Sequence, residues 1–253
     1  MTKITAGTDG LQAIPGMAAG KDRIDKEEYK MDLSKSYEFF KPEMLQSRVH
    51  IIGCGAIGST VAENLARFGI TNITLYDFDY VEPHNIANQM FRSTDIGRLK
   101  VEALANALLD INPDCKEGLK LVPEGWKGQR LSGYVFLCVD NIDLRREIAE
   151  KNRNNPYIKG MFDFRMRLTD AQHYAANWSD KPMVENFLRS MAFSHEEAQA
   201  ETPVSACNIV LSVVPTVRMI VACGVSNFIN FVKGGPLRKF IQVDAFQYFL
   251  DAA

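Results

Sequence analysis

Residues 48–70 read RVHIIGCGAIGSTVAENLARFGI, and this stretch constrains the fold more than any other part of the chain. A short apolar run is followed by glycines spaced Gly53-x-Gly55-x-x-Gly58 and then by apolar residues at helical spacing. The pattern predicts a buried strand, a tight turn and a helix, an arrangement that holds nucleotide phosphates at the helix N-terminus. Gly53 permits the turn, Gly55 lets the backbone approach a phosphate, and Gly58 allows close helix packing. The alternative is a tight strand–helix turn that binds no ligand.

The alternation of strand and helix continues along the chain. Apolar strands are predicted at 49–55, 72–79, 134–140 and 157–164, and amphipathic helices at 59–69, 97–112 and 141–152. The alternation predicts an α/β fold with a doubly wound, mainly parallel sheet and helices on both faces. Residues 238–252 predict C-terminal closing strands. Residues 165–206 are polar and less regular, which predicts a crossover loop or lid with a helix near 182–193.

Composition predicts one domain with an appendage. The chain has 253 residues, 46% of them hydrophobic, which suits a single α/β domain with a sizeable core. The formal net charge of −2 argues against nucleic acid or a membrane as a partner attracted by bulk charge. Residues 1–36 are rich in Gly, Lys, Asp and Glu without a period, and we expect a flexible N-terminal tail or arm. Residues 37–253 are predicted to form a single nucleotide-binding domain.

The cysteines indicate a reducing compartment. Cys54, Cys115, Cys138, Cys207 and Cys223 form no C-x-x-C pair, which argues against a cysteine-based zinc site. Their odd number, their scatter and the lack of a signal peptide predict a cytoplasmic protein.

The apolar segment 209–232 is long enough to cross a bilayer. Pro215, Arg218, Asn227 and Asn230 interrupt it, however, and charges inside lipid are costly. We therefore expect a buried helix and no membrane span.

Asp77 ends the second predicted strand, where an acid can bind a ribose hydroxyl of either NAD or ATP. In a dinucleotide fold this strand normally leads through a short turn into a helix. Here it leads into DFDYVEPHNIANQMFRSTDIGRLK, residues 77–100, a polar segment that carries acids, amides and bases. Such a segment can fold back over a triphosphate, which favours ATP.

The combined string GxGAIG…DFDYVEPHNIANQ…DIGRLKVEAL…CVDN resembles the E1-like adenylating enzymes, the group of ThiF, MoeB and HesA and of the catalytic halves of ubiquitin-type activating enzymes. The resemblance runs from about residue 47 to about residue 249. It implies an ATP-dependent adenylyltransferase with a Rossmann-like fold and Mg²⁺. Its substrate would be the C-terminal carboxylate of a small ubiquitin-like carrier protein or peptide, and its products an acyl-adenylate and pyrophosphate.

The same resemblance implies roles for individual residues. Asp77 would hold the ribose with Asp79 beside it, Lys100 would neutralise phosphate charge, and Asp140 would bind Mg²⁺. The remaining implied nucleotide contacts are Gly53, Gly55, Ala56, Gly58, Asn85, Asn88 and Gln89.

Each polar residue in this set has a structural alternative. Asp79 is also suited to capping a turn, Lys100 to a solvated helix face, and Asp140 to capping the helix that follows it. Asn85 and Gln89 are also suited to satisfying the backbone of their loop.

The chain departs from the family at Asn88, where many members carry an arginine that reaches the phosphates. Asparagine brings no charge, so Arg92, one helical turn further on, or Arg98 is the candidate replacement. Cys207 precedes the long apolar helix, where several relatives carry an acyl-accepting cysteine. Its alternative is a small buried residue. Arg165 and Arg167 are candidates to face the acyl carboxylate or a phosphate, with structural salt bridges as the alternative.

In relatives, a helix like 209–232 packs at a homodimer interface, so a homodimer is expected. Two rival functions stay open from the sequence. An NAD-dependent oxidoreductase explains the glycine turn and Asp77, but leaves the segment after Asp79 unexplained. A catalytically degenerate scaffold is favoured by Asn88 and by the lack of a clear N-terminal arginine.

Overall fold

The computed structural model describes residues 29–200 and 211–253. In this part of the chain the strands are β1 (Val49–Ile52), β2 (Ile73–Tyr76), β3 (Lys120–Val122), β4 (Gly133–Leu137), β5 (Ile158–Met166), β6 (Asp170–Asn177), β7 (Phe240–Asp244) and β8 (Phe249–Ala252). The α-helices are α1 (Ala56–Arg67), α2 (Lys100–Ile111), α3 (Cys115–Gly118), α4 (Ile142–Lys151), α5 (Lys181–Arg189), α6 (His195–Ala200) and α7 (Val214–Val232). Short 3₁₀ helices lie at Pro42–Met44, Pro83–Ala87 and Ser93–Asp95.

The strands form one eight-stranded sheet in the order β3-β2-β1-β4-β5-β6-β7-β8. Strands β3, β2, β1, β4 and β5 are parallel, and β6, β7 and β8 continue the sheet in antiparallel pairs. The predicted α/β fold, with a mainly parallel sheet and C-terminal closing strands, is confirmed. The chain winds outward through β1, β2 and β3 and then returns to place β4 beside β1. Ligands of open α/β sheets bind at this reversal, beyond the carboxyl ends of the strands.

Helices cover both faces of the sheet because its central strands are apolar on both sides. Ile51 and Phe136 pack with residues of α1, α2 and α7 in one buried cluster. Their neighbours Ile52 and Leu137 pack with α4 and α5 in a second cluster on the opposite face. Side chains of a strand alternate between faces, so a continuous apolar run fills two cores at once.

Helix α7 is long and apolar enough to cross a membrane by length and composition, and half of its most apolar window is buried inside the fold. The polar residues that interrupt it have partners in the fold. The Asn227 side chain donates to the Arg238 carbonyl (2.9 Å) and accepts from the Arg238 amide (2.9 Å). An Arg218 guanidinium nitrogen lies 3.2 Å from a Glu63 carboxylate oxygen on α1. These contacts agree with the predicted packed helix, which begins at Val214 in the structure.

The structure corrects the prediction for 165–206. Strand β5 continues to Met166 and turns back into β6, so residues 170–177 form a sheet strand and not a crossover loop or lid. Helix α5 confirms the helix predicted near 182–193. Residues 201–206 lie outside the described residues.

Most of the predicted tail, residues 1–28, also lies outside the described residues. Within 29–36, the Leu33 side chain lies against Gly69 at the end of α1, where an added Cβ would come within 2.7 Å of Leu33 Cδ1. Phe40 is buried, and its ring meets Phe68 edge-on at 5.8 Å between centroids. The segment from Leu33 to Phe40 therefore packs on the domain.

We expect the protein to lose stability in mild acid because two of its histidines, His50 and His173, are buried. Burial lowers the pKa of His50 and of His173, each to about 4. Between the unfolded pKa near 6.5 and pH 4 the unfolded chain binds protons that the folded chain does not, so stability falls as the pH falls. We expect the free energy of unfolding to fall by up to about 3 kcal/mol per histidine between pH 6.5 and pH 4. Urea unfolding at a series of pH values in this range measures it. His173→Gln should flatten the dependence, and a free energy of unfolding that is independent of pH would contradict the expectation.

Candidate functional site

The three glycines of the turn occupy different environments, and the backbone geometry requires glycine at two of them, Gly53 and Gly58. Gly53 has φ 95°, and a Cβ there would lie 2.7 Å from the Cys138 carbonyl carbon. A Cβ at Gly58 would lie 1.8 Å from the Gly53 carbonyl oxygen. A Cβ at Gly55 would meet no atom within 4 Å, because it would occupy open space. Gly55 caps α1, whose helix begins at Ala56. The turn therefore leaves free space in front of a helix N-terminus, which suits an anion.

A cleft of about 1910 Å³ lies over the carboxyl ends of β1, β2 and β4. This volume exceeds the roughly 300–1,000 Å³ of a usual small-molecule pocket and leaves room for a second substrate. The structure brings most of the predicted site to its walls: Gly53, Gly55, Ala56, Asp77, Asp79, Asn85, Asn88, Gln89, Lys100 and Asp140. Gly58 is buried behind the turn, and Cys207 lies outside the described residues.

Asp77 is held rigidly at the end of β2. The backbone amide of Cys54 donates to its Oδ2 (2.6 Å), and the amide of Asp79 donates to its Oδ1 (2.9 Å). Burial raises the pKa of Asp77, and these two hydrogen bonds oppose that rise. The two hydrogen bonds thus hold the carboxylate next to the glycine turn.

Lys100 is buried at the start of α2, and its ammonium donates to Asp79 Oδ2 at 2.9 Å. The Lys100 amide also donates to the Asp79 carbonyl at 2.9 Å. A lysine on a solvated helix face is therefore not what the structure shows. Lys100 and Asp79 form an ion pair in the wall of the cleft, so the lysine places a positive charge there.

The amides between residues 85 and 89 differ in what they bind. Asn85 is buried and its Oδ1 accepts from the Glu82 amide (2.9 Å), so this oxygen satisfies loop backbone. The Asn88 amide donates to the Ser212 hydroxyl. Gln89 Oε1 is buried without a hydrogen-bond partner, although it belongs to a residue that lines the cleft. An unsatisfied buried acceptor is costly, so Gln89 is the amide here with capacity for a ligand.

Asp140 does not cap the helix that follows it. The cap of α4 is Asn141, whose Oδ1 accepts from the Leu144 amide at 2.9 Å. The Asp140 side chain is exposed and lines the cleft beyond the end of β4. Within the described chain its carboxylate takes part in no hydrogen bond, which leaves it available to a cation.

The candidate arginines are placed differently. Arg92 is exposed, its Nη1 lies 3.5 Å from an Asp110 carboxylate oxygen, and it lines a separate cavity of about 650 Å³ along α2. Arg98 Nη1 lies 4.0 Å from an Asp95 carboxylate oxygen, and Arg98 lines that same cavity.

The other two candidate arginines, Arg165 and Arg167, line the cleft. Arg165 forms a salt bridge with Asp163 (2.7 Å), so the structural alternative applies to it. Arg167 is exposed on the cleft wall.

Sequence reasoning missed Arg145. This residue is buried in α4, lines the cleft, and pairs with the fully buried Asp163 of β5 at 2.7 Å. The local signal was an arginine on the first turn of the helix that follows Asp140. Its partner lies 18 positions away, so the sequence did not identify the pair.

Two buried cysteines, Cys54 in the glycine turn and Cys115 at the start of α3, are expected to be unreactive in the native protein. Burial raises the pKa of Cys115 to about 11 and raises that of Cys54 well above its usual range. Both thiols are fully buried, and only the thiolate is nucleophilic. We expect iodoacetamide at about pH 8 to leave Cys54 and Cys115 unmodified in the folded protein while it alkylates them in urea. Peptide mass spectrometry measures both states, and equal labelling in the two would contradict the burial described here.

Fold and site together define a nucleotide-binding α/β protein of the doubly wound type. A family model described as "ThiF family" matches residues 34–250, and the chain belongs to this family. The predicted resemblance is thereby confirmed.

Curated relatives match part of the chain. A ubiquitin-like modifier-activating enzyme 5 of Caenorhabditis briggsae is 35% identical over 184 residues, covering 70% of this chain and 38% of the relative. The enzyme of the same name from Drosophila virilis is 33% identical over 143 residues, covering 50% of this chain and 35% of the relative. The matched regions thus span well under half the length of these relatives.

Solved structures share the fold at low identity. E. coli MccB with MccA-N7isoAsn superposes with a TM-score of 0.69 at 16% identity, covering 91% of this chain and 74% of that one. PaaA superposes with a TM-score of 0.63 at 18% identity, covering 88% and 68%.

Proposed function

We propose that this chain is an ATP-dependent adenylyltransferase. It activates the C-terminal carboxylate of a small ubiquitin-like carrier protein or peptide as an acyl-adenylate and releases pyrophosphate. One observation carries the proposal: the glycine turn, the Asp79–Lys100 pair and the free Asp140 carboxylate all face one cleft. The names of similar proteins support it, because one group activates a ubiquitin-like modifier and MccB has been solved with ATP and with MccA.

The nucleotide end of the cleft fits ATP. Asp77 and Asp79 offer carboxylate oxygens to ribose hydroxyls, and the amides at the start of α1 face the open space at Gly55, where phosphates would lie. Lys100 lies in the same wall and can exchange its bond with Asp79 for one with phosphate. As a compact ammonium, it neutralises phosphate charge without needing a fixed planar geometry.

Asp140 fits Mg²⁺ as a single protein ligand. In the part of the chain that the structure describes, no group of three or more His, Cys, Asp and Glu residues could hold a metal. Mg²⁺ usually takes one or two carboxylates and completes its shell with water and substrate phosphates. When bound there, it would neutralise phosphate oxygens and so assist departure of pyrophosphate.

The carboxylate of the acyl substrate attacks the α-phosphorus of ATP. A new O–P bond forms as the bond from that phosphorus to the α–β bridging oxygen breaks, and pyrophosphate leaves with the electron pair. The far end of the cleft provides space for an extended tail between the β5–β6 hairpin and α5–α6. Its lining includes Arg167, Gln172, Tyr174 and Phe193.

The proposal includes a homodimer and a cytoplasmic location. The exposed residues between positions 214 and 230 of α7 are Val214, Pro215, Arg218, Ala222, Ser226 and Asn230. Apart from Arg218, the first half of this side is apolar, and this half suits an isologous contact with a second copy.

A catalytically degenerate scaffold is the second candidate function. It is favoured by the placement of Arg92 outside the cleft and by the neutral Asn88, which donates to Ser212. Neither residue then supplies the positive charge that the family's arginine brings to the phosphates.

Calorimetric titration of the purified protein with Mg-ATP and with NAD, side by side, tests the proposal. We expect Mg-ATP to bind and NAD not to bind. NAD binding alone would overturn the proposal in favour of an oxidoreductase. Binding of neither would favour the scaffold. Once Mg-ATP binding is established, exchange of labelled pyrophosphate into ATP with a candidate carrier separates an enzyme from a nucleotide-binding scaffold.

A further inference from the structure

A buried cluster of charges lies between the end of β4 and strand β5. Asp163 is fully buried, and each of its carboxylate oxygens meets one arginine. Arg145 Nη1 donates to Oδ1 at 2.7 Å, and Arg165 Nε donates to Oδ2 at 2.7 Å. A buried carboxylate is tolerated because it is paired and hydrogen-bonded in this way.

The Arg145 guanidinium also holds the backbone that leads into Asp140. Its Nε donates to the Val139 carbonyl at 2.7 Å, and its Nη2 donates to the same oxygen. The ladder between β4 and β1 ends one residue earlier, where the Cys138 amide donates to the Ile52 carbonyl. The Val139 carbonyl lies beyond that ladder, and the guanidinium satisfies it in place of a strand.

Asp140 therefore lies between two anchored neighbours. Arg145 fixes the peptide group before it, and the Asn141 cap of α4 fixes the residue after it. The Asp140 carboxylate itself stays unpaired within the described chain and lines the cleft. Its backbone is thus held in place while its side chain is left for a ligand.

We propose that Asp163 and Arg145 are positioning residues for cation binding: Asp163 orients Arg145, and Arg145 fixes the Val139–Asp140 peptide so that the Asp140 carboxylate is presented to Mg²⁺. This inference rests on the proposed function, in which Asp140 holds the metal of Mg-ATP. Outer partners that orient a ligand typically change metal affinity by about 10- to 100-fold when they are lost.

The second arginine of the cluster provides a matched control. Arg165 shares Asp163, but its other donors bind Ser190, the residue that follows α5. Nη1 donates to the Ser190 carbonyl (2.7 Å) and Nη2 to the Ser190 hydroxyl (2.9 Å). Replacing Arg165 disturbs the same buried carboxylate without touching Val139. If the cluster only stabilises the fold, replacing either arginine should change Mg²⁺-dependent ATP binding to a similar extent.

Arg145→Lys and Arg165→Lys should therefore differ in one measurement. Lysine keeps the charge beside Asp163 but loses the planar fork of arginine, so Arg145→Lys breaks the two-nitrogen contact with Val139. ATP binding is titrated at saturating Mg²⁺ and again in EDTA, and the ratio of the two affinities gives the Mg²⁺-dependent increment. We expect Arg145→Lys to lower this increment about 10-fold while binding in EDTA is unchanged. Arg165→Lys should keep the wild-type increment.

The outcomes separate the two proposals. A wild-type protein that shows no Mg²⁺-dependent increment refutes the metal role of Asp140, and the positioning role with it. A wild-type increment that Arg145→Lys retains, or that both variants lose equally, overturns the positioning role alone. If Arg145→Lys does not fold, Asp163→Asn is the second variant. It keeps the shape of the side chain, weakens the hold on Arg145, and is expected to lower the same increment.

Discussion

Replacing Asp140 with alanine is expected to lower Mg²⁺-dependent affinity for ATP by about 100-fold or more. The reason is that this carboxylate is the acidic group at the carboxyl end of β4, faces the cleft, and makes no hydrogen bond within the described chain. Its removal takes away the proposed ligand of the metal and leaves the fold's own contacts intact. The melting temperature should stay within a few degrees of wild type, since an exposed side chain without partners contributes about 0.5 kcal/mol or less.

Asp143→Ala is the matched control for this experiment. Asp143 lies on the first turn of α4, is exposed, and pairs with Arg146, but it does not line the cleft. It therefore removes a negative charge near Asp140 without removing the proposed ligand. Calorimetric titration with Mg-ATP should distinguish the two variants clearly. Equal affinities in both would remove Asp140 from the site.

The parts of the fold that the sequence predicts are those fixed by local patterns. The run 49–52, apolar except for His50, is buried on both faces, and the glycines after it fit one turn. Strand β6 was not predicted, although buried and partly buried residues alternate along most of its sequence, DAQHYAAN. The inward residues Ala171, His173 and Ala175 are small or polar, so the alternation carries little contrast in hydrophobicity. Strand β3 is three residues long and mostly exposed at the sheet edge, which leaves no pattern at all.

Residues of the candidate site were likewise predicted only where a local sequence pattern marks them. Asp77, Lys100 and Asp140 stand at strand or helix ends in a recognisable string, and the structure brings all three to the cleft. The position of Arg92 was not predictable from its distance to Asn88, because the Ser93–Asp95 turn and Asp110 fix it beside α2.

Non-local contacts explain the rest of the omissions. The two partners that hold Arg145 come from different segments: Asp163 belongs to β5, and the Val139 carbonyl lies just after β4. They meet because β4 and β5 are neighbours in the sheet. The residues proposed to contact the nucleotide follow sequence motifs, whereas the residues proposed to orient them depend on how distant segments pack.

The second large effect is expected from an alanine at Gly58. An added Cβ would lie 1.8 Å from the Gly53 carbonyl oxygen, a backbone atom of the turn itself. The helix must then move away from β1, or the turn must open. Overpacking of this kind costs about 3 kcal/mol or more. For a chain of this size, that corresponds to a fall of roughly 6–12 °C in melting temperature, measurable by calorimetry. Nucleotide binding should be lost along with the geometry of the turn.

Gly55→Ala separates the role of the turn in folding from its role in binding. Gly55 has φ −74°, which alanine adopts readily, and its Cβ would meet no protein atom within 4 Å. The fold should therefore tolerate this change, at a cost below about 1 kcal/mol from the altered helix cap. The methyl group would nevertheless occupy the space in front of α1 where the phosphates are proposed to lie, so Mg-ATP affinity should fall while the melting temperature is kept. If Gly55→Ala binds Mg-ATP as the wild type does, phosphate does not approach the backbone at this turn, and the nucleotide lies elsewhere in the cleft.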